Sequence, residues 1–141
     1  MKNNNLGIKK LEHIGIATKD SGAQALFEQL FDRPVYKEEV VDSEHVLTKF
    51  MQVGESKIEL LSGTNDSNAI SHFIEKRGPG IHHLAFEVHD IYKTFEAAKQ
   101  MNLKVLNDAP KEGADNKLIF FIHPKSAGGI LIEFCQEIKS S

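Results

Sequence analysis

The chain has 141 residues, of which 40% are apolar, enough for one domain or two half-size modules sharing a core. Its 17 basic and 20 acidic side chains leave a net charge of −3, without the clustered Lys and Arg excess of a nucleic-acid footprint. A single cysteine, Cys135, excludes an intrachain disulfide, no apolar run approaches the ~18 residues of a membrane span, and the opening MKNNNLGIKK lacks the apolar core of an export signal. A cytoplasmic protein with no nucleic-acid and no membrane partner is the expectation.

In chain order, the first ten residues and Glu137 to Ser141 are polar and are predicted to fray. Ile14 and Ile16 alternate with His13, Gly15 and Ala17, the period of a half-buried strand. Asp20 stands where an N-cap would, and Ala23, Leu26, Phe27, Leu30 and Phe31 follow at helical spacing until Arg33-Pro34. Strand-like runs come next at Val35 to Val41, Val46 to Val53 and Lys57 to Leu61, the last two joined by a turn at Gly54. A short helix, Ala69 to Glu75, lies between SGTNDSN and KRGPG. Leu84, Phe86 and Val88 then alternate with His83, Ala85 and Glu87, Asp90 takes the N-cap position, and Ile91, Phe95, Ala98 and Met101 have helical spacing. The last runs are Lys104 to Leu106, Leu118 to His123 and Ile130 to Cys135, the final pair separated by HPKSAGG.

These elements repeat. EHIGIATKD aligns with HHLAFEVHD at an offset of 82 − 12 = 70, which places His13 on His83, Asp20 on Asp90 and Val35 on Val105. KIELLSG resembles LIEFCQE and pairs Glu59 with Glu133, an offset of 133 − 59 = 74. The predicted fold class is α+β: two repeated β-α-β-β-β modules forming a curled mixed sheet around a metal-binding cleft, with helices on one face. Module one covers about 10–62, a linker helix about 68–77 and module two about 81–136.

His13 alternates against Ile14 and Ile16, and Glu59 against Ile58 and Leu60. His83 alternates against Leu84 and Phe86, and Glu133 against Ile132 and Phe134. All four are therefore predicted on the face away from the helices, where two imidazoles and two carboxylates form a ligand set for Co, Zn, Ni or Mn. His82 competes beside His83 but points to the opposite face. His45, His72, His89 and His123 lack repeat partners and read as surface residues. Cys135 shares a face with Glu133 and reads as a core or cleft-lining thiol rather than a nucleophile.

EHIGIA, IELL, SNAISHFIEKRGPGIHHLAFEVHDI and HPKSAGGILIEFCQ resemble the methylmalonyl-CoA epimerases, within the vicinal-oxygen-chelate superfamily that includes glyoxalase I, from about Leu11 to Gln136. The resemblance implies paired β-α-β-β-β modules and metal ligands at His13, Glu59, His83 and Glu133. Epimerases often carry glutamine where this chain has Glu59. The family's catalytic glutamate falls here on Ser43, between Asp42 and Glu44, and a one-residue slip in the loop brings Glu44 into place. The implied activity is epimerisation of methylmalonyl-CoA by metal-assisted proton abstraction and return at the α carbon, with Glu133 and Glu44 as proton-transfer groups. Glyoxalase I is the alternative, and a non-enzymatic small-molecule binding module of the same fold comes after it. Lys117 and Lys125 are available to an acyl-CoA tail but read as solvated, with no assigned role. A homodimer is expected by analogy with the superfamily.

Overall fold

The computed structural model describes residues 6–19 and 22–139, and the chain forms two compact units. One is His13–His82; the other joins the residues up to Glu12 to those from His83 onward. Among the described residues no helix is long and apolar enough to cross a membrane.

The unit His13–His82 takes β1 (Ile8–Ala17) from His13 onward, then α1 (Gly22–Phe31), β2 (Lys37–Val41), β3 (Val46–Val53), β4 (Ser56–Gly63) and α2 (Ala69–Arg77). Its strands are ordered β2-β3-β4-β1, antiparallel except for the parallel β1–β4 pair. Gly54, at φ 60°, supplies the left-handed residue that turns β3 into β4. Register puts His13, Gly15 and Ala17 on one face with Glu59, Leu61, Phe50 and Thr48. Ile14, Ile16, Ile58, Leu60 and Met51 occupy the other. There α1 docks, and Lys49 Nζ, on that face, donates to Gln24 Oε1 at 2.6 Å.

The helix α1 buries less than its spacing predicts. Leu26 and Leu30 are exposed and none of its residues is fully buried. The helix α2 starts at Asn68, whose side chain accepts from the Ser71 amide. It packs Ile70, Phe73 and Ile74 against Ala17, Leu61 and Val46, so it covers one end of the face that carries Glu59. The expectation of helices on one face therefore needs correction: those apolar residues on the polar face require a cover of their own.

The other unit contains β5 (Gly80–Val88) from His83, α3 (Ile91–Gln100), β6 (Lys111–Gly113), β7 (Lys117–Ile122) and β8 (Ile132–Glu137). Its order is β5-β8-β7-β6, with β5–β8 parallel and the others antiparallel. Asp90 caps α3, accepting from the Tyr92 and Lys93 amides. Val88, Ile91, Phe95, Ala98, Phe120, Ile122 and Phe134 form the core beneath that helix. Phe120 centres it, with ring centroids 5.2 Å from both Phe95 and Phe134.

Three boundaries differ from expectation. Lys104 to Leu106 makes one isolated bridge, Val105 to Ile122, because Asn107 Oδ1 takes the next ladder amide, that of Phe121. The outer strand is instead β6. The predicted frayed ends are strand where Ile8 to Lys10 enter β1 and where Glu137 closes β8. The Asp20 cap falls outside the described residues.

Candidate metal centre

In each unit one glutamate sits between a small residue and a phenylalanine. Glu59 on β4 has Gly15 beside it on β1 and Phe50 beside it on β3. Glu133 on β8 has Ala85 beside it on β5 and Phe121 beside it on β7. The offsets are 85 − 15 = 70 and 133 − 59 = 74, those of the sequence repeat. Two residues before each small neighbour stands a histidine on the same face.

The contacts match this register. His13 Nδ1 is 3.0 Å from Glu59 Oε2, and His83 Nε2 is 3.4 Å from Glu133 Oε1. His13, Glu59, His83 and Glu133 are 4%, 5%, 5% and 6% exposed respectively. The His83 ring also meets Phe121 edge-on, with centroids 6.0 Å apart. Burial of a carboxylate is costly unless a cation or several donors meet it. Imidazole with carboxylate is a donor set for a divalent ion, and each pair lies in a different group of three buried side chains close enough to hold one, His13 and Glu59 with Glu12 in one and His83 and Glu133 in the other.

The remaining candidates separate by environment. Glu44 lies in an exposed 3-10 turn, Asp42–Glu44, together with Asp42 and Ser43. His82 packs its ring edge-on against Phe73 at 5.0 Å, and burial, followed by the Arg77 guanidinium, holds its pKa down to about 4. It is a neutral packing residue, in keeping with its outward alternation. His45, His72 and His89 are exposed and His123 is partly buried. Cys135 is fully buried, and desolvation, then the Glu133 carboxylate, pushes its thiol well above the ordinary range, so it is not a nucleophile.

Lys125 is exposed, as expected for a solvated lysine. Lys117 is not: only 3% of it is exposed, and its Nζ lies 3.7 Å from Glu12 Oε1 and 3.7 Å from Asp115 Oδ2. Sequence reasoning missed this buried ion pair. Its one available signal was Asp115-Asn116, a turn pair at φ 60° and 54° that brings an acid beside the first residue of β7.

Residues 12–121 match the model of the Glyoxalase/Bleomycin resistance protein/Dioxygenase superfamily, and the chain belongs to that superfamily. Among the proteins to which the chain is similar, several are named methylmalonyl-CoA epimerase. A mitochondrial methylmalonyl-CoA epimerase of Dictyostelium discoideum is 37% identical over 131 residues, 91% of this chain and 78% of that protein. The crystal structure of methylmalonyl-CoA epimerase from Mycobacterium tuberculosis superposes with a TM-score of 0.89 at 30% identity, covering 99% of this chain and 94% of that one. A variant of the Streptomyces coelicolor enzyme, solved with 2-nitronate-propionyl-CoA, gives a TM-score of 0.89 at 26% identity, covering 94% of this chain and all (100%) of that one.

Proposed function

We propose that the protein interconverts the two epimers of methylmalonyl-CoA by removing and returning the proton at the carbon between thioester and carboxylate. The observation that carries this reading is the buried His–Glu pair that occurs once in each unit, in a chain that aligns over nearly its whole length with epimerases. His13, Glu59, His83 and Glu133 would supply the donors for a divalent ion, drawn from Co, Zn, Ni and Mn. When bound, that ion supplies Lewis-acid stabilisation of the charge that develops on the thioester oxygen, worth several kcal/mol.

The protein's own groups move the protons. Glu133 serves one side of the planar enolate, and a carboxylate of the segment from β2 to β3 serves the other. The same reading implies an acyl-CoA substrate, a homodimer in solution and a reducing cytoplasmic setting in which Cys135 stays a thiol.

The test is solvent deuterium exchange. Incubated with methylmalonyl-CoA in D2O, the metal-loaded protein is expected to incorporate one deuterium at the α carbon, seen by mass spectrometry, and the metal-stripped protein to lose that ability. Thioester formation from methylglyoxal and glutathione, with no deuterium entering methylmalonyl-CoA, would overturn the epimerase in favour of a glyoxalase. Silence in both assays would leave the binding module.

A further inference from the structure

In an epimerase, Glu133 needs a partner that acts from the other side of the enolate plane. In the unit His13–His82, Glu39 on β2 lies opposite Thr48 on β3, Thr48 opposite Leu61 on β4, and Leu61 opposite Ala17 on β1. Residues facing one another across a ladder share a face, so Glu39 stands on the face that carries His13 and Glu59. Lys37, two residues earlier, shows the same orientation: its Nζ lies 5.1 Å over the Phe50 ring and 3.5 Å from Glu39 Oε1. Phe50 is the cross-strand neighbour of Glu59.

Position and exposure separate Glu39 from the other acids. Three glutamates lie on the strands of this unit, and Glu38 faces the opposite way, 4.0 Å from Lys49 on the α1 side. Glu39 keeps 31% of its side chain open, against 6% for Glu59, so it is accessible to a ligand and not sealed into the sheet. Between its strand and β4 stands Thr48, short enough for Glu39 to extend across it. Two strand spacings and two residues along the strand separate the Cα atoms of Glu39 and Glu59, about 12 Å on a flat sheet. Glu44 lies past the last rung of this ladder, Val41 with Val46, in the exposed turn.

The second unit points the same way. There the corresponding rung is Lys111 opposite Ile119, with Ile119 opposite Cys135 on the face of Glu133. The place that holds a carboxylate in one half therefore holds an ammonium in the other. A carboxylate kept in only one half suits a reaction that needs one additional base and no third or fourth acidic ligand.

We infer, on the basis of the proposed epimerase activity, that Glu39, rather than Glu44, is the second proton-transfer group. The Glu39 carboxylate takes the α proton, and the C–H electron pair passes into the enolate. Glu133, in its acid form, delivers a proton to the opposite side; exchange with solvent resets both groups, and the reverse reaction exchanges their roles.

Glu39→Gln, Glu39→Asp, Glu44→Gln and Glu38→Gln, each at full metal content, test this. Glu39→Gln is expected to lower kcat on the order of 10²-fold or more with KM changed less than about threefold, and Glu39→Asp to restore part of the loss. Glu44→Gln and Glu38→Gln should stay within about threefold of the parent. A readout independent of turnover is calorimetric binding of 2-nitronate-propionyl-CoA in buffers of different ionisation enthalpy. The parent should take up close to one proton as the anion settles beside its base, and Glu39→Gln should lose that uptake while Glu44→Gln keeps it. A parent that exchanges deuterium, with Glu39→Gln as fast as the parent or with the loss falling on Glu44→Gln, overturns the role of Glu39 and leaves the epimerase intact. A parent that neither exchanges deuterium nor binds the analogue overturns both.

Discussion

Lys117 is a lysine that composition would place in water and the fold places in the interior. Replacing it with methionine keeps the stem and removes the charge. At 3.7 Å and an effective dielectric of ~20, the ammonium and the Glu12 carboxylate attract by about 4 kcal/mol. Both side chains are only 4% exposed, so solvent cannot take over the role of the missing partner. Breaking such a buried pair from one side destabilises by about 3–5 kcal/mol. For a domain of this size that corresponds to a fall in Tm of roughly 10–20 °C. Glu137 also approaches Lys117, at 3.9 Å, but is 76% exposed, and Glu137→Gln should cost less than about 1 kcal/mol. The double variant Lys117→Met with Glu12→Gln removes both charges and should recover most of the loss, a coupling that a double-mutant cycle in urea measures directly. Equal loss in the single and double variants would refute the pairing argument, because it would show that packing around the stem, not charge, sets the stability. A loss under about 1 kcal/mol for Lys117→Met alone would refute the burial on which it depends.

Three other outcomes are expected from the same geometry. Divalent metal at 100 times its Kd should stabilise the protein by about 2.7 kcal/mol, roughly 10 °C in Tm, and His83→Ala or Glu133→Gln should abolish that shift; a parent that stays metal-free and unshifted through titration with Co, Ni, Zn and Mn would sink the centre. Phe120→Ala, which empties the position between Phe95 and Phe134, should destabilise by about 3–5 kcal/mol in urea titration, and a loss below about 1.5 kcal/mol would mean the rings close the gap. Cys135 should resist maleimide in the native state and react fully in denaturant; rapid native labelling would contradict its burial.

The two His–Glu pairs were legible in sequence for a physical reason. A strand fixes side-chain direction with period two, so alternation alone orients His13 and Glu133 away from the apolar face, and duplication supplies the partner of each. What alternation does not carry is pairing. That Glu39 faces Thr48, and through it the strand of Glu59, follows from hairpin register, which depends on turn geometry between β2 and β3 rather than on the pattern KEEVV. Lys117 escaped for a similar cause: its burial comes from Glu12, 105 positions earlier, and no local pattern carries so distant a pairing. The outer strand β6 was unreadable because KEG is polar and three residues long, and a ladder to β7 is all that makes it a strand.

The two halves agree where the metal chemistry is proposed and differ where a substrate would be told from its relatives. His13 matches His83, Glu59 matches Glu133, and Phe50 matches Phe121, each in the same place on its ladder. One rung further the agreement ends: Glu39 and Thr48 in the first half stand against Lys111 and Ile119 in the second. A duplicated scaffold with one His–Glu pair in each half gains nothing from repeating an acid–base group, because epimerisation needs groups of different position around a single carbon. Charge reversal at Glu39→Lys should therefore remove catalysis while sparing metal content, because the residue lies outside the proposed donor set. Lys111→Glu should leave metal content equally untouched and affect KM for an anionic acyl-CoA more than kcat. A loss of bound metal in Glu39→Lys would show that the ligand set and the asymmetric rung are not separable, and would place Glu39 among the donors.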